Sequence, residues 1–203
     1  MKITEFFDRT FVVNLPERVD RRKDMVRELE NAGMPLTPQS VEIFPAIRPE
    51  TLDGFPSFGA RGCFLSHLKI LRQAKADGLN SVLVMEDDLT ISEQFSATSA
   101  NWMRQLQQTE WGFVYFGHIE SVADATEPLT PFVGPLATTH FYAVHHRVLD
   151  RLIDFLELVQ SRPPGHPDGG PMHLDGAFTT FRQQNPDVLT LIAAPNLGWQ
   201  RSS

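Results

Sequence analysis

The sequence predicts an α/β fold, with a mixed, mostly parallel sheet flanked by helices. Short β-branched and aromatic runs alternate with longer segments of helical apolar period. The run Ser81-Val82-Leu83-Val84-Met85 is apolar without polar alternation, as in a strand covered on both faces. It leads into three consecutive carboxylates, Glu86, Asp87 and Asp88, followed by Leu89. In open α/β sheets ligands collect outside the carboxyl ends of the strands.

Taken in order, Phe11-Val12-Val13-Asn14-Leu15 reads as the first strand, ended by Pro16. A helix is expected from Pro16 to about Ala32, with Gly33 as its stop and Met25, Val26, Leu29 and Ala32 as its apolar stripe. Arg18, Arg21 and Arg22 share the opposite face of its first turn. Such clusters commonly coat a solvated face, but this one follows a strand's carboxyl end, where an anion would sit. Residues 41–44 form a second strand, broken by Pro45. Residues 48–62, rich in Pro and Gly, read as a surface loop of the kind that carries binding residues.

Gly62 is expected to lead into a helix with Phe64, Leu65, Leu68, Leu71 and Ala74 inward, closed by Asp77-Gly78. Cys63, Ser66 and His67 then fall in its first turn, where free N–H groups favour anions. Packing is the commoner role for a lone cysteine and structural hydrogen bonding for a histidine such as His67. Ser92 caps the next expected helix, with Phe95, Ser99, Trp102, Met103 and Leu106 as its stripe. Residues 111–117 read as a strand, 118–137 as a long connection and 139–144 as a strand. A helix carrying Val148, Leu149, Leu152, Ile153, Leu156 and Val159 follows, with His145 and His146 as turn residues before it. The sequence RPPGHPDGGP at 162–171 cannot hold regular structure and is expected to be a mobile flap. His173-Leu174-Asp175 opens another helix, where Asp175 is explicable as dipole compensation alone. Residues 188–194 form the last expected strand, and Gln200-Arg201-Ser202-Ser203 lacks a helix-like ending, as in a chain cut short.

Composition narrows the function. At 203 residues, 41% apolar and 21% charged, the chain has the make-up of one globular domain, 1–203. A net charge of −7 argues against a nucleic-acid partner. One cysteine excludes an internal disulfide framework. The first eight residues carry acids and no long apolar core, so no signal peptide is expected, and a cytoplasmic protein fits best.

Three adjacent anions repel one another, and a bound cation would offset that repulsion. In an extended chain Glu86 and Asp88 point to one side and Asp87 to the other. Two carboxylates in an oxygen-only setting suit Mg²⁺ or Mn²⁺ bridged to a diphosphate. An acidic, solvated turn after a core strand is the plainer alternative.

Four blocks together resemble glycosyltransferase family 25, the lipopolysaccharide-biosynthesis and collagen galactosyltransferase-like group. They are Val13-Asn14-Leu15 with Arg18, Asp20, Arg21 and Arg22; Gly62-Cys63-Phe64-Leu65-Ser66-His67; Leu83 to Asp88; and Pro195-Asn196-Leu197-Gly198-Trp199-Gln200. The resemblance implies a GT-A, Rossmann-like fold with a nucleotide-binding half to about residue 92 and an acceptor-side half from 93, and a nucleotide-sugar donor, with a UDP-sugar the leading choice. It implies Mn²⁺ (or Mg²⁺) held by an acidic motif, and inversion at the anomeric carbon. On these positions it implies donor contacts from Asn14, Leu15, Arg18, Arg21, Arg22, Ser66, His67, Glu86 and Asp87, metal ligation by Asp88 and Glu86, and Asp175 as the base. Many such enzymes supply a late histidine as a further metal ligand; this chain has none after His173, and Gln200 or water would fill in. The expected activity is transfer of a hexose such as galactose to a glycan or glycolipid acceptor such as lipooligosaccharide, at the inner face of the membrane. Nucleotide-sugar binding without transfer, and metal-dependent phosphoryl or nucleotidyl transfer, are the alternatives.

Overall fold

A computed structural model describes residues 1–122 and 125–201. Residues 123–124, inside the expected 118–137 connection, and 202–203, in the closing tetrapeptide, lie outside the described residues. The elements run α1 (Ile3–Phe6), β1 (Arg9–Asn14), α2 (Val19–Asn31), β2 (Val41–Pro45), α3 (Phe58–Ala76), β3 (Ser81–Glu86), β4 (Leu89–Ile91), α4 (Glu93–Ala97), α5 (Ser99–Gln107), β5 (Phe113–Tyr115), β6 (Leu129–Pro131), β7 (Phe141–His145), α6 (His146–Ser161), α7 (Leu174–Gln184), β8 (Thr190–Ala193) and β9 (Gly198–Gln200). Seven strands form one sheet in the order β2-β1-β3-β7-β5-β8-β6. β1, β2, β3, β5 and β8 point one way, with β7 and β6 reversed among them. The expected mixed, mostly parallel α/β sheet is therefore what forms.

Helices cover both faces, which explains why the strands read as unbroken apolar runs. Val82 and Val84 of β3 pack with Phe64, Leu68 and Leu71 of α3, Leu152 and Leu156 of α6, and Phe178 of α7. Leu83 and Met85, pointing the other way, pack with Met25 and Leu29 of α2 and with Phe95, Trp102 and Leu106 of α4 and α5. This period of two, buried on each side, is the physical content of a doubly covered strand. β2 and β3 flank β1 on opposite sides, and α2 and α3 lie on opposite faces. The strand order therefore reverses at the carboxyl end of β1, the position at which such sheets open a ligand crevice.

Several boundaries differ from expectation, each for a local reason. α2 begins at Val19, because residues 15–18 first make a turn in which the Arg18 N–H donates to the Leu15 carbonyl. α3 begins at Phe58, where Ser57 caps it by accepting the Ala60 N–H. The loop before it is correspondingly shorter. Gly62 lies inside α3, where a β-carbon would sit 2.6 Å from the Ile47 carbonyl oxygen. Cys63, Ser66 and His67 are thus beyond the helix's first turn, and their N–H groups are not free for an anion. The helix capped by Ser92 breaks at Thr98 into α4 and α5. The 118–137 connection contains β6, an edge strand paired antiparallel with β8, and residues 198–200 form β9, paired antiparallel with β4. His145 caps α6 by accepting the Arg147 N–H, in keeping with a turn role.

Candidate active site

The carboxyl ends of β1 and β3 are tied together by a polar network. Asn14, almost fully buried, donates from Nδ2 to Asp87 Oδ2 at 2.7 Å and to the Arg18 carbonyl at 3.1 Å. Its Oδ1 accepts from Arg22 Nε at 3.0 Å, and Arg22 Nη2 also donates to the Pro16 carbonyl. Arg21 Nη1 bridges Asp87 Oδ1 at 3.0 Å and Asp88 Oδ2 at 3.3 Å. From the far end of the chain, the Arg201 N–H donates to the Asp88 carbonyl and Arg201 Nη2 to the Asp87 carbonyl.

The acidic run does not stay extended. β3 stops at Glu86, and Asp87-Asp88 form a turn into β4. Asp87 and Asp88 both bond Arg21, whereas Glu86 bonds Thr139 and Gln200, and all three carboxylates line one cleft. The repulsion within the run is offset in part by a guanidinium. Asp88 Oδ1 remains buried with no hydrogen-bond partner. An uncompensated buried carboxylate oxygen is costly, and as a hard anionic donor it fits Mg²⁺ or Mn²⁺. Arg21 engages only Oδ2 of Asp88, which leaves Oδ1 for such an ion.

Glu86 accepts from Thr139 Oγ1 at 3.2 Å and from Gln200 Nε2 at 3.3 Å, and lies 3.8 Å from His67 Nε2. Burial, followed by the Asp88 charge, pushes its carboxyl up to about 7. A carboxyl raised above its ordinary 4.5 keeps a proton in the folded state that the unfolded chain has lost, so it weakens the fold as pH rises from about 4.5 to about 7. In chelator-containing buffer, Glu86→Gln is expected to stabilise the protein at pH 8 by on the order of 2 kcal/mol, discounted for partial exposure, and to change nothing at pH 4. Denaturant melts at the two pH values check this; a variant no more stable at pH 8 would place Glu86 in a better-solvated setting.

A cleft of about 360 Å³ opens beside this network. Val13, Leu15, Ile47, Pro49 and Phe58 give it an apolar wall, and Arg18, Arg21 and the acidic run give it a charged end. A smaller hollow of about 130 Å³ holds Asp175, His173, Thr139 and Gln200. Cys63 and Glu86 line both, so the two hollows meet at those side chains. A larger, amide-lined hollow between α5 and Pro195 brings none of these groups together.

The structure thus gathers Leu15, Arg18, Arg21, Glu86, Asp87 and Asp88 at one cleft, with Asp175 beside it. Ser66 and His67 line the cleft but have internal duties. Ser66 Oγ donates to the Gly62 carbonyl and accepts the Ile47 N–H, fastening the β2 exit to α3. His67 Nδ1 is 2.8 Å from the Tyr142 hydroxyl, and burial holds the ring neutral, its pKa lowered to about 3. Arg22 faces Asn14 and Pro16 and acts on the cleft through Asn14. Asp175, half-buried near the start of α7, accepts the Gly176 N–H at 2.7 Å. Thr139, Arg201, Ile47 and Phe58 were not singled out by sequence reasoning. Thr139, Ile47 and Phe58 are of types that carry no chemical signal, Arg201 is a lone cation far from the acidic run in sequence, and only long-range pairing brings them here.

Fold and site together define an α/β protein whose ligand crevice opens where the strand order reverses, with acids and arginines facing each other across it. More particularly, the chain belongs to glycosyltransferase family 25: residues 7–127 match the family described as glycosyltransferase family 25 (LPS biosynthesis protein). Procollagen galactosyltransferase 1 of Danio rerio is 30% identical over 156 residues, which cover 66% of this chain and 25% of that protein. Procollagen galactosyltransferase 2 of Homo sapiens is 26% identical over 153 residues, 66% of this chain and 24% of that one. A Homo sapiens protein named inactive glycosyltransferase 25 family member 3 is 31% identical over 129 residues, 55% of this chain and 22% of its own length. The chain spans about a quarter of the length of these curated relatives. The matched stretch 7–127 includes Asn14 to Arg22, Cys63 to His67 and the acidic run, whereas Asp175 and Gln200 lie beyond it.

Proposed function

We propose that this chain is an inverting, divalent-cation-dependent glycosyltransferase that moves a hexose such as galactose from a UDP-sugar to a glycan acceptor such as lipooligosaccharide. The buried, unpartnered Asp88 Oδ1 at the charged end of the cleft carries this reading. The apolar wall around Leu15, Ile47 and Phe58 suits a nucleobase, and Arg18 and Arg21 suit its phosphates. Asp88, with Glu86, would hold Mn²⁺ or Mg²⁺. When bound, that ion neutralises the leaving diphosphate. Asp175, across Glu86 from the cleft, takes the proton from the acceptor hydroxyl as it attacks the anomeric carbon. Among the described residues no helix is long and apolar enough to cross a membrane. We place the reaction in the cytoplasm, at the inner membrane face where a glycolipid acceptor is presented.

A panel of nucleotide sugars, each assayed for Mn²⁺-dependent release of nucleoside diphosphate with and without acceptor glycans, tests the proposal. Release on one donor that rises with acceptor supports it. Nucleotide turnover with no sugar transferred points to phosphoryl or nucleotidyl transfer. Binding of nucleoside diphosphate without release on any acceptor points to a donor-binding protein, a reading favoured by the relative named inactive.

The arginines are expected to separate by role. Arg21→Ala should raise the donor KM several-fold with the fold intact. Arg22→Ala should lower stability by about 1–3 kcal/mol, because it strips partners from the buried Asn14 amide and the Pro16 carbonyl. Steady-state kinetics and melts on both variants check this; two neutral results would make the cluster a solvated face.

Residues 162–171 fold into turns, with Arg162 Nη1 donating to the Asp168 and Gly169 carbonyls. Pro164 and Pro171 approach Gly54 in the loop before α3. As a closing flap this segment would shield the reacting sugar from water. Nucleoside diphosphate with Mn²⁺ is expected to slow proteolysis within it, and equal cleavage with and without ligand would remove the flap from the mechanism.

A further inference from the structure

We propose that Cys63, His67 and Glu86 form a second cation site, one for a thiophilic transition-metal ion such as Zn²⁺. Cys63 and His67 are four residues apart on α3 and so project from one face of it. Glu86 meets them from the end of β3. One sulfur, one nitrogen and one oxygen, a single atom from each residue, lie within 4.8 Å of one another. Tetrahedral Zn²⁺, with bonds of about 2.0–2.3 Å, needs such atoms roughly 3.5 Å apart. The set therefore closes around an ion with small side-chain movements.

The second observation is independent of that spacing. His67 is fully buried, and its Nε2 has no hydrogen-bond partner. Its other nitrogen, Nδ1, faces the Tyr142 hydroxyl, and the two rings are stacked. When Nδ1–H donates to Tyr142, Nε2 keeps a free lone pair, 3.8 Å from Glu86 Oε1. This is the outer-shell arrangement that fixes the tautomer of metal-binding histidines. A sulfur ligand beside an imidazole selects borderline-soft ions over Mg²⁺ or Mn²⁺, so this site differs in ion preference from the oxygen site proposed at Asp88, with Glu86 common to both. On binding, the sulfur–metal bond forms as the Cys63 thiol proton leaves to solvent, with no change of oxidation state. Three protein ligands leave one position of a tetrahedral ion for water, and Cys63 and Glu86 also line the hollow that holds Asp175. The inference concerns binding by the folded chain and stands whether or not the chain transfers a sugar.

Cobalt(II) is the probe. Chelator-treated protein titrated with Co²⁺ is expected to develop a thiolate-to-cobalt charge-transfer band, together with the intense visible bands of a tetrahedral ion, both displaced by stoichiometric Zn²⁺. Cys63 is the sole cysteine of the sequence, so the band has a single origin. It should vanish in Cys63→Ser and persist in Asp88→Asn. Tyr142→Phe, which removes only the outer-shell partner, should weaken Zn²⁺ binding about 10–100-fold. If Cys63→Ser does not fold, alkylation of the wild-type thiol gives a second reading, and Zn²⁺ should slow it. A wild-type protein that shows no charge-transfer band, or whose thiol is alkylated equally fast with and without Zn²⁺, overturns the proposal.

Discussion

Asp175→Asn is expected to cost about 10²–10⁴-fold in kcat, the usual loss when a general base is removed. Donor and Mn²⁺ binding should persist, because Asp175 lies in the smaller hollow and shares no hydrogen bond with Asp87, Asp88 or Arg21. The competing role is ordinary. Asp175 sits in the first turn of α7 and accepts the Gly176 N–H, a placement that contributes roughly 0.3–1 kcal/mol through the helix dipole. A melting point within a few degrees of the parent and a collapsed kcat would identify the base. Near-normal turnover would leave Asp175 as a helix residue and move the base elsewhere in the hollow.

Asp88→Asn is expected to abolish Mn²⁺-dependent affinity for nucleoside diphosphate, with a loss beyond the roughly 10–100-fold typical of outer-shell changes. The substitution keeps the side-chain volume and removes one of two buried anions that share Arg21. Stability should change little, since Asp88 Oδ1 has no partner to lose and Arg21, which also holds Asp87, keeps an amide oxygen in place of Oδ2. Calorimetry with and without Mn²⁺ checks this, and unchanged metal-dependent affinity would remove Asp88 from the ligand set.

The parts of the fold legible in the sequence are those decided by burial. β3 and α6 announce themselves because their apolar periods match the faces they cover. The starts of α2 and α3 were misplaced because capping and turn hydrogen bonds decide them. Pro16 looks like a helix start but lies in a turn, and Gly62 looks like a boundary but marks close approach to Ile47. β6 and β9, three residues each, exist only through their partners β8 and β4. The site was legible in residue type and less so in arrangement. The acidic run was visible at once, and Arg21 with it. The division of Glu86 from Asp87 and Asp88 was not, because the turn between them is held by Arg201 and by the β4–β9 pairing.

That pairing ties the timing of assembly to the shape of the acidic turn. Gln200 reaches Glu86, and Arg201 reaches Asp87, across 114 residues of chain. A nascent polypeptide that has emerged only as far as β3 can assemble β1, β2 and their helices. The acidic turn in such an intermediate lacks the groups that shape it. Long-range contacts of this kind form late, after the cost of loop closure has been met. The shape of the acidic turn therefore depends on the docking of β9, and removing residues 198–201 is expected to change how Glu86, Asp87 and Asp88 are held.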